Sequence, residues 1–256
     1  MLTAFYNWLI GNMGTPGEYM YQGIHIWSTV AVLAVFVAVC LLGVRFRKNP
    51  TVSRKLLTCV AVFHLAFEVI WRLVFLFAKG SALKDLWPMY PCNLGGILVP
   101  IFALAGCRKG KQLFYLFGFV GGVLTFAMPD GIFCSDVLVF PILKSILQHT
   151  GLLMIPALEL ISGSYRPTLK DMGWVTGGCL IHLLNCEVID RLLGFTGDYM
   201  FLRSGLPFVI PGVPGFITIS VFAVLVLALL SFLCDIKGSC RFLSGLKKAN
   251  TDKIPN

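Results

Sequence analysis

The sequence predicts an all-α integral membrane protein: a polytopic bundle of about seven transmembrane helices, with the amino terminus outside and the carboxyl terminus in the cytoplasm. Composition is the first reason, because 57% of the residues are hydrophobic and only 13% are charged, against roughly 25% charged in soluble domains. The other reasons are a series of apolar runs of spanning length and a one-sided distribution of basic residues. With 256 residues, residues 1–256 are expected to form a single membrane domain.

Seven windows have the length and apolarity of a membrane-spanning helix, which needs about 20 residues. They cover residues 24–44, 56–78, 88–107, 113–128, 137–161, 172–193 and 216–234, and the fourth is short and rich in glycine. Residues 194–215 contain many Gly, Pro and aromatic residues, so we expect an ordered external loop there. The last 22 residues, 235–256, form a basic tail.

Orientation follows from the Lys and Arg residues between the spans, because cytoplasmic loops retain them. One set of alternate loops and the tail hold 15 of these residues: Arg45, Arg47, Lys48, Arg54, Lys55, Arg108, Lys109, Lys111, Arg166, Lys170, Lys237, Arg241, Lys247, Lys248 and Lys253. The opposite set holds four: Lys79, Lys84, Arg191 and Arg203. This split places the amino terminus outside and the basic tail inside.

Several other classes of protein are disfavoured. The net charge of +9 is not accompanied by a stripe of basic and aromatic residues, so no nucleic acid partner is expected. The nine cysteines show no Cys/His spacing typical of zinc, so we expect no metal site and no cofactor. No basic residue precedes the first apolar run and no small-residue cleavage site follows it, so a removable signal peptide is not expected.

Polar side chains inside the second span are the first candidates for function, since a central charge costs about 2.5–3.5 kcal/mol and needs a partner or a cavity. His64, Glu68 and Arg72 stand at successive i+4 positions. Glu68 and Arg72 are therefore expected to form an intramembrane ion pair. The pair is either a seam that packs against a neighbouring helix or part of a functional site.

The fifth and sixth spans carry two further polar groups: Lys144, Gln148 and His149, and then His182, Asn185, Glu187 and Asp190. His182 and Asn185 are three residues apart and share a helix face. Hydrogen bonds between helices would explain both. The alternative is a small-molecule or ion transporter with a polar site at mid-membrane, although the sequence has no internal repeat.

Cys92 differs from the other cysteines because it is predicted to stand at the start of a helix. Pro91 suits the first helical turn, where its missing N–H is not needed. Cys92 would then lie beside unpaired backbone N–H groups at the positive end of the helix dipole, which favour a thiolate. This position indicates a nucleophile, although a cysteine with a purely structural role could occupy the same position.

Five short stretches between the third span and the seventh carry a resemblance to a known family. They are PMYPCN at 88–93, MPD at 128–130, QHTG at 148–151, YRPT at 165–168 and DYMFL at 198–202. In order and spacing they resemble the YwaF-like integral membrane proteins of bacteria, which are related to the eukaryotic transmembrane protein 164. The sequence departs from many bacterial relatives at Tyr90, where they have histidine, and at Asp198, where they have asparagine.

The resemblance implies a cysteine-dependent acyltransferase that moves a fatty acyl chain between phospholipids, or a lipid hydrolase with the same acyl-enzyme. The cysteine of the eukaryotic branch matches Cys92, and His149 is the best-matched histidine for a general base. Membrane lipids would be the partners, and the cell membrane the location.

Four polar residues are expected to support the predicted nucleophile: Tyr90, Asn93, His182 and Asn185. Asn93, Asn185 or the amides of the helix start would stabilise the oxyanion. Cys92 is expected about 6 Å inside its span and His149 about 12 Å inside, from a rise of about 1.5 Å per residue. A helix tilt of about 20° would bring them to one level.

Overall fold

The computed structural model describes residues 2–10, 15, 17–78, 82–129, 132–197, 213 and 215–251. The fold is 81% helix, and the described residues form no strand. The first six helices are α1 (Leu2–Ile10), α2 (Gly23–Phe46), α3 (Pro50–Ala78), α4 (Pro91–Ala105), α5 (Arg108–Ala127) and α6 (Phe140–Ser162). Then α7 (Met172–Leu184) continues through a π-helical turn (Asn185–Ile189) into the short α8 (Asp190–Leu192), and α9 (Gly215–Cys234) and α10 (Ile236–Thr251) follow.

Helix α6 lies at the centre of the bundle. It packs against α2, α3, α4 and α5, and 72% of its apolar window is buried inside the protein. In α2 the corresponding value is 11%, and large apolar side chains such as Trp27 and Leu33 face outward. A helix that is apolar on all sides yet packs on only one is typical of a lipid-facing span.

Glycines allow some of these helices to approach closely. This is expected in a membrane, because lipid is as apolar as the helix side chains and helix association depends on close packing. A Cβ atom on Gly178 of α7 would lie 1.8 Å from the carbonyl oxygen of Leu113 in α5. A Cβ on Gly95 of α4 would lie 3.3 Å from Leu152 of α6. The α5–α7 contact is therefore one of backbone against backbone.

Within the described residues, five segments are long and apolar enough to cross a membrane: Gly23–Phe46, Pro50–Phe77, Arg108–Ala127, Phe140–Ser162 and Leu169–Leu192. A sixth exists if Ser220–Cys234 and Ile236–Ser244, which meet at a bend of 109°, are counted as one span. These segments overlap six of the seven predicted windows. The all-helical membrane architecture is confirmed, while the count of seven stays a prediction.

Several predicted boundaries differ from the structure; α3, for example, begins at Pro50, six residues before the second window. The third window, 88–107, contains the shorter α4, because Pro91 begins the helix and Gly106, with φ 66°, ends it in the left-handed region. The fourth window, 113–128, was too short, because α5 already begins at Arg108. Lys111, assigned to a cytoplasmic loop from the sequence, is therefore a buried residue of α5.

Some predicted features lie outside the described residues. They are most of the 194–215 segment with its DYMFL stretch and Asp198, Asp130 of the MPD stretch, and the end of the basic tail. The described part of that tail forms α10. Neither α1 nor α10 was predicted from the sequence.

Candidate active site

Cys92 is the second residue of α4. Tyr90 precedes the helix with an extended backbone, φ −86° and ψ 150°, and Pro91 follows as the first helical residue. The carbonyl oxygen of Tyr90 accepts hydrogen bonds from the N–H groups of Asn93 and Leu94, at 3.0 and 3.1 Å. The Cys92 side chain is half-buried in the first turn of this helix. The thiol therefore lies at the positive end of α4.

The segment that leads into α4 is held in place by the π-helical turn after α7. Asn185 accepts a hydrogen bond from the indole Nε1 of Trp87 at 2.9 Å and donates one to the carbonyl oxygen of Pro88 at 2.8 Å. The Cys186 thiol donates to the carbonyl oxygen of Met89 at 3.3 Å. A π-helical turn often marks a functional site. Here both ends of the Asn185 amide fix the segment before Cys92.

Beside this segment, one buried carboxylate pairs with two cations. Glu68 binds Nη1 of Arg72 through Oε2, and its Oε1 lies 3.3 Å from Nζ of Lys144. The Glu68 and Lys144 side chains are 4% and 7% exposed, and that of Arg72 is 20% exposed. The i+4 ion pair expected from the sequence is present in the structure, and Lys144 of α6 joins it.

The Lys144 ammonium also contacts two carboxamides. It donates to Oδ1 of Asn93 at 3.1 Å and to Oε1 of Gln148. With Glu68, these acceptors account for all three of its N–H groups. Because an ammonium can only donate, the Asn93 oxygen must face Lys144, and the Asn93 NH₂ group has no partner among the described residues. Lys144 thus fixes which way the Asn93 amide points.

Gly96, one helical turn after Cys92, leaves room for this arrangement. A Cβ atom there would lie 2.9 Å from Cγ of Gln148 and 3.2 Å from Oε1 of Glu68. Residues four apart share a helix face. The polar groups of α3 and α6 therefore meet α4 on the side that carries Cys92.

His149 lies close to the same charges. Its Nδ1 is 2.7 Å from the carbonyl oxygen of Ser145, and since a carbonyl only accepts, this nitrogen carries the proton and Nε2 is the basic one. Cys92 and His149 are not hydrogen-bonded to each other. The charges of Lys144 and Glu68 act on both side chains. The predicted nucleophile and base thus share a neighbouring ion pair.

The other candidate histidine has a different environment. His182 is 1% exposed and packs between Phe117, stacked at 4.5 Å, and Phe114, edge-on at 5.4 Å. Neither of its ring nitrogens has a hydrogen-bond partner within the described ranges. His182 and Asn185, which share a face in sequence, therefore have separate neighbours. In the described part of the chain, no cluster of His, Cys, Asp and Glu is placed to hold a metal ion.

A second buried ion pair lies further along α6. Lys111 is 2.6 Å from Glu159, and the hydroxyl of Tyr115 donates to the same carboxylate at 3.3 Å. This group was not expected from the sequence, in which Lys111 lies in a predicted loop. Two features of the sequence would have indicated this group. Lys111 and Tyr115 are four residues apart and share a helix face, and Glu159 is the only acidic residue of the fifth predicted window and needs a partner.

Comparison with known proteins gives the family. The chain belongs to the TMEM164 family, whose sequence profile matches residues 20–234, a range that contains every side chain of the site described above. No curated protein and no solved structure matches the chain. Together with its apolar helices, this membership makes the chain a multi-pass membrane protein.

Proposed function

We propose that this TMEM164-family protein is a cysteine-dependent phospholipid acyltransferase, with Cys92 as the residue that carries the acyl chain. The observation that supports the proposal is the setting of the thiol. Cys92 is half-buried at the start of α4, next to Asn93, whose amide is oriented by a buried ammonium. A helix start and a neighbouring cation are the surroundings that make a cysteine reactive.

In the first step, the Cys92 thiolate attacks the ester carbonyl carbon of a phospholipid. A C–S bond forms, the ester C–O bond breaks, and the departing lysolipid alkoxide takes a proton from protonated His149. The products are an acyl-thioester and a lysolipid. In the second step, the hydroxyl of another lysolipid gives its proton to His149 and attacks the thioester, which restores the thiolate. Water in place of that lysolipid would make the protein a hydrolase.

The negative charge that develops on the carbonyl oxygen needs a donor. Three sources were expected from the sequence: Asn93, Asn185 and the helix-start amides. We propose the Asn93 NH₂ group and the N–H groups at the start of α4, because Asn185 already bonds to the Trp87–Pro88 segment. Lys144 would hold Asn93 in the donating orientation, and its charge would favour the thiolate.

The finer topology belongs to the same proposal. We place seven spans in the cell membrane with the amino terminus outside, so that Cys92 opens to the outer leaflet, and we assign the chain to the YwaF-like bacterial branch. The excess of basic residues in one set of loops supports this orientation. Labelling of single cysteines from each side of intact cells would test it.

Trapping the acyl-enzyme tests the function. Purified protein is incubated with phospholipid, and the acyl mass on Cys92 is sought by mass spectrometry. Cys92→Ser should remove both the adduct and acyl transfer. Cys107→Ser is the matched control, because Cys107 also stands at a helix start, at the N-cap of α5, and should leave both unchanged. No adduct on Cys92 in protein that otherwise transfers acyl chains would contradict the proposal.

The transporter alternative makes the opposite predictions. Uptake into proteoliposomes would be abolished by His182→Ala and would survive Cys92→Ala. The surroundings of His182 between Phe114 and Phe117 give it no polar neighbour with which to bind a solute, so we prefer the acyltransferase.

A further inference from the structure

We infer that Arg72 forms a binding site for the phosphate group of the phospholipid substrate, an inference that rests on the proposed function for the reaction that follows binding. It concerns a different part of the ion cluster from the one beside Cys92.

The ion cluster carries more positive than negative charge. Glu68 is the carboxylate shared by Arg72 and Lys144, and among the described residues no other carboxylate lies within ion-pair distance of either cation. Two cations and one anion leave an excess of about one positive charge within a membrane-spanning bundle. An unpaired charge there is costly, so the arrangement favours an anionic ligand.

The unused donors place that ligand at Arg72. Lys144 already donates to Glu68, Asn93 and Gln148, so it has no N–H group left. Arg72 makes both of its bonds, to the side chain and to the carbonyl oxygen of Glu68, with Nη1 alone. Its Nε and Nη2 have no partner among the described residues, and the side chain remains 20% exposed. A guanidinium edge of this kind suits a phosphate in bidentate geometry.

The position of Arg72 fits a phospholipid better than a free anion. Arg72 is one helical turn beyond Glu68, about 5–6 Å nearer the predicted outer end of α3. The Cys92 thiol lies beside the Lys144 end of the cluster. A Cβ atom on Gly96, one turn after Cys92, would contact Glu68, so Arg72, one turn outward of Glu68, lies at about the level of Cys92. A phospholipid carries its phosphate within a few bonds of its acyl ester, so one molecule would present its ester to Cys92 and its phosphate to Arg72.

Lipid binding by full-length Cys92→Ser protein tests the inference without turnover. Native mass spectrometry would compare retention of phosphatidylcholine with that of diacylglycerol carrying the same acyl chains. We expect phosphatidylcholine to be retained preferentially, and Arg72→Met to reduce that preference about tenfold or more. Arg191→Met is the matched control, because Arg191 also forms an i+4 pair with a glutamate, Glu187, but no ion pair with Glu68, and it should keep the preference.

Three results would overturn the inference. One is an unchanged preference in folded Arg72→Met protein. If that variant does not fold, Arg72→Gln replaces it, since glutamine keeps a hydrogen-bond donor beside Glu68 but loses the positive charge, and an unchanged preference there has the same meaning. The third is displacement of the lipid by millimolar inorganic phosphate, which would indicate a free-anion site. The binding test is independent of the proposed reaction, because Cys92→Ser cannot form a thioester. If wild-type protein shows no acyl transfer, the binding result still stands. If wild-type protein forms the acyl adduct but binding shows no headgroup preference, the phosphate site alone is refuted.

Discussion

Replacing Glu68 with glutamine should destabilise the protein more than removing either of the cations that it binds. In Glu68→Gln, the buried Lys144 and the partly buried Arg72 remain without a carboxylate. Removing one partner of a buried pair costs about 3–5 kcal/mol, because the remaining charge is left uncompensated. We expect the free energy of unfolding to fall by about that amount.

Lys144→Met should have a smaller effect, because it leaves Arg72 and Glu68 as a neutral pair. The loss is then mainly that of the hydrogen bonds to Asn93 and Gln148, about 1–3 kcal/mol. The double variant Glu68→Gln/Lys144→Met keeps a single cation and no carboxylate. The double variant should therefore be no less stable than Glu68→Gln alone. If the two substitutions were independent, their costs would add and the double variant would be less stable than either single variant.

Reversible unfolding in mixed micelles, analysed as a double-mutant cycle, would measure these differences. Glu187→Gln is the control, since the pair between Glu187 and Arg191 is partly exposed, at 23% and 43%, and such pairs contribute about 0–1 kcal/mol. If Glu68→Gln costs no more than Glu187→Gln, or if the double variant loses the sum of the single effects, the shared-carboxylate reasoning is wrong.

Two further predictions concern the framework of the site. Asn185→Ala should cost about 1–3 kcal/mol of stability through its two hydrogen bonds, release the segment before α4 and, in folded protein, lower acylation of Cys92 by about ten- to a hundredfold; acylation at the wild-type rate would show that this anchor is not needed. Gly178→Ala should separate α5 from α7, because its Cβ would lie 1.8 Å from a backbone oxygen of α5, whereas a Cβ on Gly173 meets nothing within 4 Å. Thermal unfolding of both variants in detergent measures the contrast, and equal stabilities would contradict the close approach.

Local patterns in the sequence predicted part of the site. The position of Cys92 followed from its neighbour Pro91, and the pairing of Glu68 with Arg72 from their i+4 spacing. Both depend on residues within one helical turn, where helix geometry fixes which side chains meet. The acyltransfer roles themselves came from the family resemblance and stay predictions.

Contacts between distant segments were not predictable in this way. Lys144 reaches Asn93 across 51 residues, and Asn185 reaches Pro88 across 97. Which helices become neighbours depends on the packing of the whole bundle. Hydropathy locates the apolar helices, but it does not predict which of their faces meet. The same limit concealed the pair between Lys111 and Glu159, because a basic residue near the end of an apolar run looks like a loop residue until its partner is known.

The shortness of α4 links the site to the thickness of the membrane. Its 15 residues extend about 22 Å, against a hydrocarbon layer of about 30 Å. At its carboxyl end, Arg54 donates to the carbonyl oxygens of Ala103 and Leu104 at 3.0 and 2.6 Å, so that end is anchored by a charged side chain. The helix alone is shorter than the hydrocarbon layer, so as a span it would need the residues before Pro91 or local thinning of the bilayer, and in a thicker bilayer Cys92 would lie deeper below the headgroups. The length of the surrounding acyl chains would then set how easily a lipid ester meets the thiol, so the host membrane itself would tune the reaction.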